Sequence, residues 1–591
     1  MSYAQLSSYG YALGRAPRAT PAACVSRAKT WRPAVAILLE PLAESIKSQP
    51  DPAAGGAAQT AASRSIAGRA GAGMVASGIL LSRIAGLVRA TIFAHYLGDS
   101  AAADAFQAGF RIPNILQNLL GEGVLSASFI PVYSRMLGEG DDENGDLLAW
   151  SVGAILALAT AILVVAGVAL APYLIAVIAP GFSGEKRELT VTIVRILFPG
   201  AGMLVMSAWC LGVLNSHHRF FASYAAPVAW NLAIIAALVW FGPRRTQDGL
   251  AIDVAWGSVA GAVLQVLVQI GQTLALLRRM RFDFARVSEP LRAVFRNLAP
   301  VVAGRGVGQM SAYVDNLLAS LLPTGAVAAL NYGQILYMLP VSLFGWSIAA
   351  SELPTMARAS GSAEEIGAVL RTRLNAGLRQ ISFLVVPSAV AFIALGDVIC
   401  ALIFQSGSFS HADAIYVWAV IAGSGIGMLA ITMGRLYNSA FYALWDTRTP
   451  LKFAIVRVSL TLALGYVCAL ILPGALGIER RWGVAGLTAS AGVSGWVEFA
   501  LLRWRLNQRV GWTGLARGYL AKLWAMALCA AAIAIAIKLA TAGFGPRPRG
   551  LIVLPAFGAI YLGIAWALGM PELDAMLAML KRRLSSRQAA R

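Results

Sequence analysis

Charged residues are scarce in this chain, and acidic ones most of all. Only 13% of its 591 residues are charged, whereas soluble domains usually carry about 25%. The 48 Lys and Arg residues outnumber the 28 Asp and Glu residues, which gives a formal net charge of +20. The basic residues lie in short loops between apolar runs rather than in one soluble domain. The composition therefore excludes a soluble protein and argues against nucleic acid as a partner.

Cysteine and histidine are also few, and their spacing carries no motif. The five cysteines are scattered without a CxxC pair, so neither a disulfide framework nor a thiolate metal site is indicated. The four histidines form no HExxH pattern, and no P-loop or GxSxG sequence stands between a strand and a helix. These absences argue against a metalloenzyme, an ATPase and a hydrolase, and the sequence predicts no cofactor.

Apolar residues dominate the chain, at 58% of the total. A helix needs roughly 20 such residues to cross a bilayer. From Gly73 to Leu568, the apolar runs between Gly, Pro and charged punctuation number about 14 by this length criterion. The sequence therefore predicts an all-α polytopic membrane protein with about 14 transmembrane helices.

The distribution of Lys and Arg over the loops predicts the orientation. With the N-terminus inside, the Arg-rich loop at 278–296, the loop at 503–522 and the basic tail at 571–591 all lie in the cytoplasm. We therefore predict that both termini are cytoplasmic.

The stretch from Ser82 to Ser134 holds ionisable residues at membrane depth. Arg83 and Arg89 lie in the first apolar run, about 120° apart on a helix, so one of them could be structural. Four polar residues of the second run fall near one helical face: Asp104, Arg111, Asn118 and Glu122. Ionisable groups cost about 2.5–3.5 kcal/mol each in a bilayer, so they normally face a bundle interior or a wet cavity. This pattern predicts a polar cavity wall, with hydrogen bonding between helices as the alternative.

The predicted helices 7 and 8 carry a comparable set of polar interruptions: Arg305, Asp315, Asn331 and Gln334. Both helix pairs also have Gly and Pro breaks at membrane depth, such as Pro113 and Pro340. Matching interruptions in two halves are typical of a transporter whose site lies between two repeats.

Four segments are specific enough that chance is a poor explanation: SRIAGLVR (82–89), DAFQAGFRIPN (104–114), GEGVLSASFIPVYS (121–134) and GRLYNSAFYALWDTRTP (434–450). With shorter matches between them, they resemble the MurJ/MviN family, the lipid II flippases of bacterial cell-wall synthesis. The resemblance covers about residues 65–505.

This resemblance implies the fold of the multidrug/oligosaccharidyl-lipid/polysaccharide exporter superfamily. Two pseudo-symmetric lobes of six helices are expected at 66–280 and 281–505, followed by helices 13 and 14 at 506–570 and the tail at 571–591. The last two helices would form a groove for the polyprenyl tail of the substrate. Residues 1–65 are predicted to be a disordered extension, or the product of a start codon placed too far upstream.

The resemblance also implies a function. The family moves lipid II, an undecaprenyl-diphosphate-linked disaccharide pentapeptide, from the inner to the outer leaflet of the cytoplasmic (inner) membrane by alternating access. The expected partners are lipid II, membrane phospholipids and the cell-wall synthesis machinery, and no covalent chemistry is expected of the protein. Its energy source stays open among the membrane potential, protons and sodium.

Candidate roles follow from this resemblance for Arg83, Arg89, Asp104, Arg111 and Glu122, and from the polar pattern of the helices for the other residues. The expected substrate-binding residues are Arg83, Arg89, Arg111, Gln117 and Asn118. The expected gating or cavity residues are Asp104, Glu122, Arg305, Asp315 and Gln334. Of these, Asp104 and Glu122 would gate through ion pairs with arginines of the other lobe. Forked arginine donors suit a diphosphate. For Asp315, binding of sodium or a proton and an ion pair with Arg305 or Arg457 both stay open.

The chain departs from the family pattern at three places. Ala90 stands where the family often has Asp, and Ile335 stands where it has an arginine. Gln117 and Asn118 stand where it often has one or two basic residues. These changes thin the cationic lining, so capture of the diphosphate would fall on the arginines that remain.

Other functions are weighed against this one. A drug/cation antiporter of the same superfamily is disfavoured, because arginine in the cavity would repel a cation, whereas a flippase for another polyprenyl-linked glycan stays open. A membrane glycosyltransferase would need acidic motifs on a longer loop than this chain offers. A scaffold would tolerate loss of the buried arginines.

Overall fold

The computed structural model describes residues 78, 80–277, 283 and 286–578, without the side chains of 122, 222, 299–301 and 303–311. The predicted N-terminal extension at 1–65 and the last part of the basic tail lie outside the described residues. Within the described ranges the chain is helical between its turns, apart from one isolated β-bridge between Ser406 and Phe409. The predicted all-α class is therefore confirmed.

The first six helices are joined by short turns. They are α1 (80–97), α2 (Ala101–Leu120, continued by Glu122–Ser128 and Ile130–Gly138), α3 (Asp142–Ile178), α4 (Gly184–Ser216), α5 (Phe220–Phe241) and α6 (Gln247–Leu276).

Eight further helices follow. They are α7 (Ser288–Ser320), α8 (Ala326–Pro340, π-helical over Val341–Trp346, then Ser347–Ala357), α9 (Ala363–Ala394), α10 (His411–Ala443), α11 (Arg448–Tyr466, π-helical over Val467–Ile471, then Leu472–Ala475), α12 (Gly483–Val510), α13 (Arg517–Ala540) and α14 (Pro546–Ala567). Short helices Gly396–Phe404 and Arg480–Trp482 lie between α9 and α10 and before α12, and another covers 571–578.

Twelve helices in the described part of the chain are long and apolar enough to cross a membrane. The two that fall short are α1, whose start is not described, and α7. The order of the helices agrees with the predicted count of about 14, and the chain is an integral membrane protein.

The turns divide the bundle into two ends. We call the end with the turns after odd-numbered helices the distal end, and the end with the turns after even-numbered helices the proximal end. At the distal end, the backbone N–H of Ser408 donates to the carbonyl oxygen of His95 at 2.7 Å. A Cβ on Gly98, whose φ is +53°, would lie 2.6 Å from the carbonyl oxygen of Ser408. A side chain at Gly98 would therefore separate the turn after α1 from the turn before α10.

The helices pack most closely within two sets, α1–α6 and α7–α12. In the first set, α4 contacts α2, α3 and α6, and α5 contacts α6; in the second, α10 contacts α8, α9 and α12, and α11 contacts α12. A Cβ on Gly427 of α10 would lie 2.2 Å from the Cα of Gly492 in α12, so these backbones touch. Close approach through small residues is the usual basis of helix association in lipid, where burial of apolar surface contributes little.

The last two helices pack on the outside of the second set. α13 contacts α9 and α14, and the Tyr561 hydroxyl of α14 donates to the carbonyl oxygen of Phe383 in α9 at 2.8 Å. Lys538 of α13 pairs with Asp397 at 2.6 Å. The first and second sets meet where α2 contacts α7 and α8, and we call the cavity at this place the main cavity.

Candidate functional site

A cavity of about 290 Å³ lies between the two helix sets. Its lining comes from α1, α2 and α5 of the first set and from α7 and α8 of the second: Arg89, Ala90, Phe93, Phe106, Gln107, Phe110, Arg111, Asn114, Asn118, Ile234, Ala312, Tyr313, Asn331, Gln334 and Ile335. The wall is therefore apolar and aromatic, with two arginines and five carboxamides. Walls of this kind, with a few placed polar groups, are typical of ligand sites.

Arg89 is the cation with the most available donors in this cavity. Its guanidinium carbon lies 4.7 Å from the centroid of the Trp230 ring, a distance at which the ring face attracts a cation. Among the residues the structure describes, Arg89 has no hydrogen bond and no ion pair. Its N–H groups are consequently available to an anion, and the predicted role of Arg89 in binding a diphosphate stays a prediction.

Arg111 spans the gap between the two helix sets. From α2, its Nη1 donates to the carbonyl oxygen of Ala312 in α7 at 2.8 Å. Its Nη2 donates to Oδ1 of Asn331 at 3.1 Å and to Oε1 of Gln334 at 2.8 Å, both in α8. Only its Nε lacks a partner in the described structure. Arg111 therefore lies in the predicted cavity, but most of its donors already bind protein acceptors.

The polar face of α2 divides between two cavities. Gln107, Arg111, Asn114 and Asn118 line the main cavity. Gln117 instead lines a separate space of about 20 Å³, which also touches α4 and α6 within the first set. Successive residues of a helix point about 100° apart, so Gln117 and Asn118 cannot face the same side. Gln117, a predicted substrate-binding residue, therefore does not line the main cavity.

Arg83 lies away from the main cavity. It is exposed, and its Nη1 donates to Oγ of Ser342 at 3.0 Å. Ser342 belongs to the π-helical stretch of α8, so this hydrogen bond also joins the two helix sets. Arg83 and Arg89 thus face different surroundings, which agrees with their angular separation on α1. A role of Arg83 in substrate binding stays a prediction.

Asp315 lies beside the cavity rather than in its wall. Its charge interacts with those of Arg111 and Arg457, and one of its carboxylate oxygens is buried without a hydrogen-bond partner in the described residues. Arg457 in turn pairs with Glu498 of α12 at 2.9 Å. The predicted cavity residue Gln334 lines the wall and binds Arg111, whereas the side chains of Glu122 and Arg305 lie outside the described residues. No group of three or more metal-ligating side chains occurs in the part of the chain that the structure describes.

Asp104 lies at the distal end and not in the cavity. Its side chain is 1% exposed and pairs with Lys186 of α4 at 2.5 Å. Its carboxylate also accepts the backbone N–H groups of Gly325 and Ala328 at 2.8 Å each. Gly325, with a φ of +97°, precedes α8, so Asp104 of the first set caps the N-terminus of a helix of the second set.

We call this arrangement of Asp104, Lys186 and the start of α8 the distal latch. The sequence analysis expected Asp104 to gate the cavity through ion pairs with arginines of the other lobe. Its charged partner is instead a lysine of its own set, and the contacts to the other set are backbone N–H groups. A helix terminus presents such donors regardless of side-chain identity, so sequence comparison could not have revealed them.

Asp99, in the turn before α2, adds a second buried carboxylate to the distal end. Both of its carboxylate oxygens are buried without a hydrogen-bond partner among described residues. Burial raises the pKa of Asp99 well above its ordinary value, and the nearby charges of Asp413 and Asp104 raise it further, against the opposing effect of Arg481. The folded protein therefore favours the protonated form of this carboxyl group.

We expect stability to fall with rising pH because of Asp99. Its pKa is about 3.9 when unfolded and higher when folded, so its favourable contribution is complete below about pH 4 and is lost as the pH rises through the folded value. The Asp99→Asn variant cannot ionise, so its thermal midpoint should fall less than that of the wild type between about pH 5 and about pH 8. Asp248→Asn, which changes an exposed distal acid, is the control. Equal slopes for the wild type and Asp99→Asn would contradict the prediction.

Several site residues were missed in the sequence. Asn114 and Tyr313 line the cavity, Trp230 holds Arg89, and Lys186 neutralises Asp104. Only Asn114 had a usable signal, because it lies three residues after Arg111 and four before Asn118, on the same helical face. The other three come from helices whose relation to α1 and α2 is set by tertiary packing.

Comparison with known protein families gives a consistent result. A family model described as lipid II flippase MurJ matches residues 93–547. A curated relative, the lipid II flippase MurJ of Burkholderia cenocepacia, is 32% identical over 515 residues, which cover 83% of this chain and 95% of the relative.

Solved structures show the same fold. A structure of lipid II flippase MurJ in an inward closed conformation matches with a TM-score of 0.70 at 21% identity, and covers 85% of this chain and 99% of its own. An inward-facing multidrug resistance MATE family transporter of the MOP superfamily matches with a TM-score of 0.58 at 17% identity, over 72% of this chain and 95% of its own.

Proposed function

Because the chain belongs to the lipid II flippase MurJ family, we propose that it moves lipid II from the inner to the outer leaflet of the bacterial cytoplasmic membrane. In this role the protein is a transporter that forms and breaks no covalent bond. Lipid II carries a diphosphate between its polyprenyl tail and its sugars, so the site must hold an anion at membrane depth.

The observation that carries this proposal is the free guanidinium of Arg89. It faces a cavity between two helix sets and has no acidic partner among the residues described. A desolvated arginine without an anion is costly, and a diphosphate supplies the matching charge and geometry. A cationic drug would be repelled at the same place, which disfavours the antiporter.

From the cavity between the two helix sets and the distal latch at one end of the bundle, we infer an alternating-access cycle. The two proposed lobes, 66–280 and 281–505, would rock about the cavity, with the distal latch intact in the conformation described. Arg89 would receive the diphosphate first, and Arg111 would join it by exchanging its protein acceptors for phosphate oxygens. Opening of the distal end would then require Asp104 to leave the N-terminus of α8.

The proposed orientation places the proximal end in the cytoplasm. At the proximal end, Arg286 precedes α7, and the first turns of α7 carry Arg292 and Arg296. Arg509 lies in the last turn of α12 and Arg517 begins α13, and these basic residues support the positive-inside assignment. Both termini would then be cytoplasmic. Phospholipids would surround the bundle, α13 and α14 would border the polyprenyl tail, and enzymes of cell-wall synthesis would supply and consume the substrate. No resident cofactor is proposed, and coupling to the membrane potential, protons or sodium would supply the energy.

The function is tested by complementation of a cell depleted of its own lipid II flippase. Leaflet-specific detection of lipid II should show that the wild-type protein restores the lipid to the outer leaflet and restores growth. A parallel strain should follow a second polyprenyl-diphosphate glycan, because transport of that glycan alone would favour the alternative substrate. Failure of the expressed and inserted protein to move lipid II would overturn the proposal.

A further inference from the structure

We propose that the α2 side of the cavity is a carbohydrate subsite, which binds the sugar adjoining the diphosphate through the carboxamides of Gln107, Asn114 and Asn118. We call these three residues the carboxamide face. The inference rests on the proposed function and adds to it a division of labour, in which Arg89 recognises the phosphate and the carboxamide face recognises the sugar.

Two of the three residues of the carboxamide face offer hydrogen-bonding groups that the protein itself leaves unused, whereas Asn118 is hydrogen-bonded to Tyr313 of α7. Gln107 and Asn114 have no hydrogen bond to any described residue, although both line the cavity and are partly buried. Asn331, across the cavity, differs because its oxygen accepts from Arg111 and its nitrogen donates to the carbonyl oxygen of Val327. Unpaired polar groups in a partly buried cavity are costly unless a ligand or water binds them. The free carboxamides therefore mark the side of the cavity that is prepared for a ligand.

The chemistry of a carboxamide fits a sugar better than it fits a phosphate. Each carboxamide carries two N–H donors and one carbonyl acceptor, so it can bind hydroxyl and acetamido groups, which are themselves both donors and acceptors. A phosphate offers only acceptors near neutral pH and is better matched by arginine. A face of three carboxamides without a lysine or arginine partner thus discriminates by hydrogen-bond pattern and not by charge.

An aromatic row lies along the same side of the cavity. The ring centroids of Phe93 and Phe106 are 5.1 Å apart, and those of Phe106 and Phe110 are 6.1 Å apart with nearly parallel planes. Phe110 also stacks on Trp230, the ring that holds Arg89. A pyranose has an apolar C–H face and a polar rim, so its apolar face can contact this apolar row while its rim reaches the carboxamides.

The dimensions of the main cavity allow one sugar and its phosphate but not the whole lipid II headgroup. Gln107 and Asn118 are about 16 Å apart along α2 at 1.5 Å per residue. The cavity volume of about 290 Å³ lies at the small end of the range for ligand sites, about 300–1,000 Å³. We therefore assign the subsite to the sugar nearest the diphosphate, with the rest of the headgroup outside this space in the conformation described.

The subsite is tested by binding to the full-length protein in lipid nanodiscs. The probes are farnesyl diphosphate and the same lipid carrying N-acetylglucosamine on its diphosphate, so that the difference between them isolates the sugar. The variants Gln107→Met and Asn114→Leu replace each carboxamide by an apolar group of similar shape. Gln272→Met makes the same change at an exposed position of α6 and serves as the matched control.

The wild type should bind the glycolipid at least about 10-fold more tightly than the bare diphosphate, as expected for two or more additional hydrogen bonds. The double variant Gln107→Met/Asn114→Leu should lose this advantage while its affinity for farnesyl diphosphate stays within about 2-fold, which also shows that it folds. Arg89→Gln should weaken both lipids. Equal losses for the two lipids in the double variant, or no loss for either, would overturn the subsite.

The binding test of the carbohydrate subsite and the transport test of the proposed function can fail independently. If the wild-type protein moves lipid II between leaflets but the double variant binds the glycolipid as tightly as the wild type does, the subsite fails and the function stands. If the binding pattern holds but lipid II is not moved, the subsite stands and the assigned substrate is wrong.

Discussion

Replacement of Arg89 by glutamine should nearly abolish translocation of lipid II. Hydrogen bonds to a charged group contribute about 1.5–3 kcal/mol each, so loss of the free guanidinium should slow transport by roughly 10-fold to 100-fold or more. Arg89 makes no hydrogen bond or ion pair within the described structure, so the change removes substrate contacts and leaves the fold intact. The measurement is the rate at which lipid II appears in the outer leaflet of the complemented, flippase-depleted cell.

Two further variants show whether charge or geometry matters at this position. Arg89→Lys keeps the charge but loses the planar fork, so its rate should lie between those of the wild type and Arg89→Gln. Arg505→Gln, at an exposed arginine that binds Gln508 at the proximal end, should transport as the wild type does. Translocation at the wild-type rate by Arg89→Gln would exclude Arg89 as the anion site.

Replacement of Asp104 by alanine should release the distal latch and destabilise the protein. The change leaves the largely buried ammonium group of Lys186 without its carboxylate partner and removes the acceptor of two backbone N–H groups at the start of α8. Removing one partner of a buried ion pair typically costs about 3–5 kcal/mol. We therefore expect a lower thermal midpoint and a larger separation of the two helix sets at the distal end.

The separation can be followed with spin labels on Glu185→Cys and Thr324→Cys, which line the same distal pocket in the intact latch. The distance distribution should broaden to longer values in Asp104→Ala. Adding Lys186→Met removes the uncompensated charge, so the double variant should be more stable than Asp104→Ala alone. An unchanged distance distribution and midpoint in Asp104→Ala would show that the latch does not hold the distal end closed.

The candidate site could be predicted in part because α2 is a long, regular helix. A spacing of 3.6 residues per turn places Arg111, Asn114 and Asn118 on one side whatever the helix packs against. The cost of polar groups in lipid then requires that this side face a cavity or another helix. Position on the helix and polarity are local properties, so the sequence is sufficient for them.

The same reasoning could not tell which polar residues would be left for the substrate. Arg111 and Arg89 are both arginines at membrane depth, yet Arg111 donates to acceptors of α7 and α8, whereas Arg89 packs on Trp230 and makes no hydrogen bond to a described residue. Asp104 accepts backbone N–H groups at the start of α8, and the amino-acid sequence does not distinguish such groups because nearly every residue type carries one. Partners that are more than 80 residues away along the chain are chosen by packing, and periodicity within one helix contains no information about them.

The sequence by itself determined that this chain is a multi-helix membrane protein with an arginine-bearing polar stretch near its start. Those features depend on hydropathy, run length and helical periodicity, which act over a few turns. Only the tertiary structure decided that Arg89 makes no hydrogen bond or ion pair to the described residues around the main cavity, and that Asp104 belongs to the distal latch. These outcomes depend on how two sets of helices meet, since a hydrogen-bond donor is free or occupied only with respect to the groups that packing brings to it.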